Sequence, residues 1–201
     1  RQYVYDSRLF VENGTVYLKY HQGGAVMGAD FLIRLDDDGT AEELQSSYHQ
    51  VKILGDKTFS RWTGLMPYSG NLAMKTGNGE FEKLGSPDYI YTWDYISDGT
   101  ASGGFGPEDV YLSDDFLYIL ATDFKSYKEE NALPGIYRID INTGETVRVN
   151  ERAVKEFIAE GDFLYCHSNG TFYRQPLKDG KEEKLGQVLA PESEKAQNAL
   201  A

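Results

Sequence analysis

The sequence predicts an all-β fold, a β-propeller of four-stranded antiparallel blades, and three observations point to it. Residues 115–118 read Asp-Phe-Leu-Tyr, and residues 162–165 repeat them, within "SDDFLYILATD" and "EGDFLYCHSNG". The features that flank the two echoes recur in the same order. The glycines of one recurrent turn, Gly39, Gly79, Gly144 and Gly180, lie 40, 65 and 36 residues apart. Units of roughly 40–50 residues holding four short strands each are the signature of propeller blades. A β-sandwich or barrel with hairpins of similar composition is the alternative.

The last unit is the clearest. "FIAE", "DFLYC", "TFYRQPL" and "EEKL" read as its four strands, within residues 156–186. The unit over 109–149 matches it: Tyr137-Arg138 answers Tyr173-Arg174, and each Arg is followed six residues later by a turn glycine, Gly144 or Gly180. The unit over 8–45 carries "NGTVYLKY" and "FLIRLDDDGTAEEL", with Tyr17 in the place of Tyr118 and Ile33-Arg34 in the place of the aromatic-Arg pair. A weaker copy spans 50–85 and keeps the Asn78-Gly79 turn and an "EKL" ending. Asn13-Gly14, Asn78-Gly79 and Asp179-Gly180 are dipeptides that accept positive φ and so suit hairpins. The second strand of each unit is nearly continuously apolar, as expected where both faces are covered. The fourth is charged, as expected at an exposed edge. One such sheet cannot bury both faces by itself, so the units must stack.

Between the second and third units lies an insertion, "SPDYIYTWDYISDGTASGGFGPE" (86–108); without its 23 residues the long glycine spacing falls to 42. The propeller or propeller arc therefore covers residues 1–189, and 190–201 form a polar, Ala-rich tail. Four blades are the lower limit for a closed ring. "YVYD" (3–6) could supply a closing strand, or the four units could be an arc of a larger ring.

Composition narrows the function. The 201 residues include 32 Asp and Glu against 20 Lys and Arg, a formal charge of −12. An acidic surface repels phosphate backbones and anionic membranes, which speaks against nucleic-acid partners. No run is long enough for a transmembrane helix, so no direct membrane insertion is expected in this segment. The one cysteine, Cys166, allows no intrachain disulfide. The start at Arg1 suggests a processed or trimmed protein, with a leader, anchor or neighbouring domain upstream.

The pattern Gly161-Asp162-Phe163-Leu164-Tyr165, then Tyr173-Arg174, then Asp179-Gly180 and a short charged strand, resembles propeller repeats of uncharacterised exported bacterial proteins, a domain of unknown function. It is similar, more distantly, to the six-bladed propellers of lipoprotein-receptor type. "YTWD" (91–94) nearly permutes the receptor motif but sits in the insertion, out of phase with the blades. The resemblance covers about residues 8–186 and concerns scaffold positions. It implies an extracytoplasmic, secreted or cell-surface binding module with no known reaction.

Tyr89, Tyr91, Trp93 and Tyr95 alternate through the insertion, so an extended chain would place all four rings on one face. Rings so presented could stack on a sugar or grip a peptide; packing onto a neighbouring blade is the plainer role. Trp62, where the second unit departs from the repeat, joins them as a candidate contact. The Asp36-Asp37-Asp38-Gly39 turn has no calcium-loop spacing and reads as a solvated hairpin. Arg34, Arg138 and Arg174 could line a channel or, more simply, pair with acidic neighbours within their blades. His21, His49 and His167 share no metal spacing. Cys166 and His167 are adjacent on a strand and point to opposite faces, so they would not form a nucleophile pair. No motif implies a cofactor or a metal, and none is expected.

The leading expectation is a non-enzymatic module of the bacterial envelope or surface that recognises a protein, peptide or glycan. The rivals are a purely structural scaffold and a glycoside-acting propeller. The latter would need two carboxyl groups across a cleft, with Asp94, Asp98, Glu108 and Asp109 the nearest candidates.

Overall fold

The computed structural model describes residues 4–22, 29–47, 49–62, 69–93, 96–97, 102–103, 110–127, 134–154, 156–168, 170–178 and 180–187. The chain is all-β there, and its strands form four antiparallel four-stranded sheets, each a simple meander. The first contains β1 (Val4–Glu12), β2 (Thr15–Gln22), β3 (Ala29–Leu35) and β4 (Ala41–Ser47). The second contains β5 (His49–Leu54), β6 (Lys57–Trp62), β7 (Leu72–Thr76) and β8 (Glu82–Lys83). There follow β9 (Tyr89–Thr92) and the small ladder of β10 (Ile96–Ser97) with β11 (Ser102–Gly103). The third sheet contains β12 (Val110–Ser113), β13 (Phe116–Asp123), β14 (Gly135–Asp140) and β15 (Thr146–Arg148), with the single turn of α1 (Phe124–Tyr127) between β13 and β14. The fourth contains β16 (Phe157–Glu160), β17 (Phe163–Ser168), β18 (Thr171–Pro176) and β19 (Glu183–Gln187). None of the sheets closes into a barrel.

The turns show why these residues fold back where they do. Asn13 and Gly14 both have positive φ (50° and 77°), which matches the twist of a two-residue hairpin. At the β7–β8 connection the positive φ falls on Gly77 (52°), one turn position earlier than the Asn78-Gly79 dipeptide suggests. There the Gly79 N–H donates to the Thr76 carbonyl at 3.0 Å. A Cβ at Gly180 would stand 2.6 Å from Pro176 Cγ, so close approach, not backbone freedom, requires glycine there.

The expected insertion 86–108 begins later than the sequence suggested. β9 pairs with β13 from Tyr89↔Asp123 to Thr92↔Leu120, and β12 continues along the same edge from Val110↔Ile119 to Ser113↔Phe116. Thr92 and Val110 thus oppose consecutive residues of β13. They behave as neighbours in one interrupted strand, and the excursion from it comprises residues 93–109.

The core lies between consecutive sheets. Leu32, with Phe10, Tyr17 and Leu44, meets Val51 and Ile53 between the first and second. Phe59, Leu72 and Leu84 meet Leu117, Ile119 and Ile139 between the second and third. Tyr118, Leu120 and Ile136 meet Phe157, Leu164 and Cys166 between the third and fourth. Each sheet therefore has a forward face toward the next sheet and a rear face toward the previous one. The recurrent Tyr and Arg are cross-strand partners on the forward face: Tyr17↔Arg34, Tyr118↔Arg138 and Tyr165↔Arg174.

Leu117 has no exposed surface, so Leu117→Ala is expected to lower stability by about 2–5 kcal/mol in denaturant titration. Val147→Ala, on the partly exposed β15, is expected to cost under about 1 kcal/mol.

Candidate functional site

The aromatic stripe sits where the second sheet meets the edge of the third. Tyr89, Tyr91 and Trp93 join one core, with Tyr91 and Trp93 at 0 % exposure and Tyr89 partly covered. Alternation does put the rings together, but against the second sheet, so as folded the Tyr91 and Trp93 rings offer no surface to a ligand. The Tyr89 ring lies 4.6 Å from Tyr137. Trp62 is half-buried at the end of β6. It alternates with Phe59 and Arg61, which face the third sheet, and so points to the other side. Trp62 and Tyr89 therefore do not form one aromatic platform. Tyr95 lies outside the described residues, as do Asp94, Asp98, Glu108 and Asp109.

Polar groups hold this junction, and one asparagine does most of it. Asn71 Nδ2 donates to the carbonyls of Trp62 (3.2 Å) and Tyr91 (3.0 Å), while its Oδ1 accepts from the Tyr91 N–H at 2.8 Å. Nothing in sequence distinguishes it: a lone Asn after Gly70 reads as a turn residue. Arg61 reaches across to Thr92 Oγ1 (3.2 Å) and the Trp93 carbonyl (3.3 Å), and its guanidinium lies 5.4 Å from the Trp93 ring. The Tyr91 hydroxyl accepts from the Ser86 N–H at 2.7 Å and sits 3.3 Å from Thr146 Oγ1. Burial pushes its pKa up against those hydrogen bonds. A Cβ at Gly85 would collide with this hydroxyl, and Gly85 also has a φ of 78°. These groups anchor β9 and the start of the excursion to two sheets at once.

The other charged and nucleophilic groups are held by nearby partners. Asp38 accepts from the Thr40 N–H (2.8 Å) and Oγ1 (2.6 Å), which hold its carboxyl below the usual range. Asp123 caps α1 through the N–H groups of Lys125 and Ser126, and its carboxyl is held low chiefly by the Ser126 N–H. Arg34 pairs with Glu42 (2.7 Å) and Asp36, and Arg174 with Glu183 (2.7 Å). Arg138 lies over the Phe116 ring at 4.8 Å, as Arg174 lies over Phe163 at 4.7 Å. Cys166 is buried toward the third sheet, whereas His167 faces the other way with Glu156 at 2.7 Å. Burial, with Glu182 adding to it, raises the Cys166 thiol to about 11. Among the described residues no three of His, Cys, Asp and Glu converge as metal ligands. No helix among them is long and apolar enough to cross a membrane.

Among the described residues two apolar faces remain open, and the sequence analysis missed both. On the rear face of the first sheet Leu9↔Leu18↔Ile33 and Val11↔Val16↔Leu35 form two cross-strand rows. Leu9 is 65 % and Val11 64 % exposed. On the forward face of the fourth sheet Ile158 (64 %) and Phe172 (44 %) are exposed beside Phe163 and Tyr165. The signal was available in the repeat: these positions are apolar in every well-formed unit, but only the middle units have a neighbour on both sides.

No protein-family model matches the chain, and none of the curated proteins compared with it is similar. Among solved structures, an ACO/RPE65 chimera is similar at 10 % identity and a TM-score of 0.46, over 87 % of this chain and 46 % of that one. The chain thus spans less than half of that structure's length, and a similarity this loose assigns neither fold nor activity.

Asn71→Ala strands the Tyr91 N–H and C=O, so a loss of about 2–4 kcal/mol in denaturant titration is expected. The native Cys166 thiol is expected to resist a maleimide at pH 7 and to react once the chain unfolds. Because its folded pKa lies above the ordinary value of 9.0, the folded state binds the proton more tightly. Stability should then fall as pH rises from about 9 to about 11 and be flat with respect to this group below that window; denaturation midpoints of the wild type and Cys166→Ala across pH 7–11 check it.

Proposed function

We propose that the chain is a non-enzymatic β-propeller module whose four sheets are blades, and that it works by binding a protein partner outside the bacterial cytoplasm. The observation that carries this reading is the pair of open apolar sheet faces at the two ends of the blade series. Exposed contiguous apolar surface on a soluble chain marks an interaction site. The aliphatic rows Leu9↔Leu18↔Ile33 and Val11↔Val16↔Leu35 of the first sheet favour a protein surface over a sugar. The location outside the cytoplasm is supported by the resemblance to exported repeats. Among the described residues the carboxyls with displaced pKa, Asp38 and Asp123, are held low by hydrogen bonds, the opposite of what a glycosidase's general acid needs.

Site-specific photo-crosslinking tests this. A benzophenone amino acid placed at position 9 or at position 158 of the intact protein, irradiated in the producing cell, is expected to capture protein. The same group at Lys181, which is exposed and on neither face, should capture far less. Equal capture from all three positions, or none from 9 and 158, overturns the reading.

A further inference from the structure

We infer that the two open faces are made for each other, and that a second copy of this chain covers them head to tail. The inference rests on the reading of these faces as interaction surfaces and names the partner. The repeat shows what each face lacks. On the rear face of the third sheet the rows are Val110↔Ile119↔Tyr137 and Leu112↔Leu117↔Ile139. They correspond position by position to Leu9↔Leu18↔Ile33 and Val11↔Val16↔Leu35 in the first sheet. In the third sheet the rows lie in the core against the second sheet, where Leu117, Ile119 and Ile139 have no exposed surface. In the first they face outward. The tight pair of Tyr20 and Phe31, stacked at 4.8 Å, extends the same apolar face.

The other end mirrors this. On the forward face of the third sheet Tyr111↔Tyr118↔Arg138 and Leu120↔Ile136 run across the strands, with Arg138 over Phe116. That face docks onto the fourth sheet, and the Tyr118 hydroxyl donates to the Leu177 carbonyl at 2.6 Å. The fourth sheet carries the same face: Ile158↔Tyr165↔Arg174 and His167↔Phe172, with Arg174 over Phe163. The first sheet uses its own version, Phe10↔Tyr17↔Arg34, to dock onto the second. A forward face meeting a rear face is therefore how this chain joins sheet to sheet, at all three of its internal junctions. Its open forward face belongs to the fourth sheet and its open rear face to the first.

One copy's fourth sheet against another copy's first sheet would repeat an interface the chain already builds. Made twice about a two-fold axis, that contact gives eight sheets in sequence, at the upper end of the usual propeller range of about four to eight blades. Both ends are covered and no apolar face is left outward.

The experiment is sedimentation equilibrium of the intact protein at about 1–100 µM, with Leu9→Asp and Ile158→Asp as variants. Both side chains are largely exposed within one copy, so each variant should fold, with a circular dichroism spectrum like that of the wild type and a cooperative melt, its midpoint lowered only by the lost association. The wild type is expected at twice the 22.6 kDa chain mass, and each variant at the monomer mass. An equimolar mixture of the two variants is expected to recover dimer, with a Kd at least tenfold weaker than the wild type's, because one of its two junctions is intact. A dimer that survives Ile158→Asp, or a mixture that stays monomeric, overturns the head-to-tail arrangement, and open-ended polymers overturn ring closure. A wild type that stays monomeric throughout overturns the second copy as occupant and leaves the faces to other sheets of the same polypeptide or to another protein. In that last case crosslinks from positions 9 and 158 would still uphold the interaction module.

Discussion

A small antiparallel sheet that is apolar on both faces cannot stand alone in water, and this constraint organises the whole chain. Each of the four sheets is a simple meander. Within a sheet the hydrogen bonds are satisfied locally, so they do not dictate how sheets associate. What dictates it is the pair of apolar faces on strands such as β13, where residues 117–122 are buried regardless of which side they point to. Burying such a strand requires a neighbour in front and a neighbour behind. The three hydrophobic clusters between consecutive sheets are the result.

The two faces are not equivalent, and that gives the series a direction. The rear face of the first and third sheets carries two cross-strand rows of mainly aliphatic residues. The forward face carries the Tyr-Arg pair, whose guanidinium covers a ring of its own sheet: Phe116 under Arg138 and Phe163 under Arg174. A guanidinium over a ring keeps its in-plane donors available to an acceptor at the edge, as in the Arg174–Glu183 pair; Arg34 pairs with Glu42 at the same place. The acidic excess of the chain is partly spent on these edge pairs. They are individually weak at exposed positions, so their contribution is to orient a side chain that shields aromatic surface, not to supply much stability.

Much of this architecture was legible in the sequence because repeats translate directly into equivalent positions. The two Asp-Phe-Leu-Tyr segments open β13 and β17, and the aromatic-Arg pairs fall on β14 and β18 in the same register to them. The strand period was also legible in the stripe, since Tyr89, Tyr91 and Trp93 do share a core. What could not be read was which side of the strand was already taken. β9 looks like the start of an insertion because its continuation, β12, resumes only at Val110; pairing with β13 is a contact between residues about 30 positions apart, and no local pattern encodes it. Asn71 was invisible for the same reason: its partners, Trp62 and Tyr91, are on two other strands.

The interrupted strand explains why the least repetitive part of the sequence is also among the most firmly anchored. An excursion leaving the middle of an edge strand would ordinarily fray the segment before it. Here the preceding four residues are secured from two directions. β13 supplies the ladder, while Asn71 and Arg61 reach over from the second sheet to the backbone of Tyr91 and Trp93 and to the Thr92 hydroxyl. Tyr91 then crosses the interface to meet Ser86 and Thr146 at its far end. The aromatic residues that look, in sequence, like a surface made for a ligand are the bolts that hold a long departure of the chain against two sheets. The Tyr91 ring carries its hydroxyl to Ser86 and to Thr146 at the start of β15, and Gly85, without a side chain, leaves room for that hydroxyl.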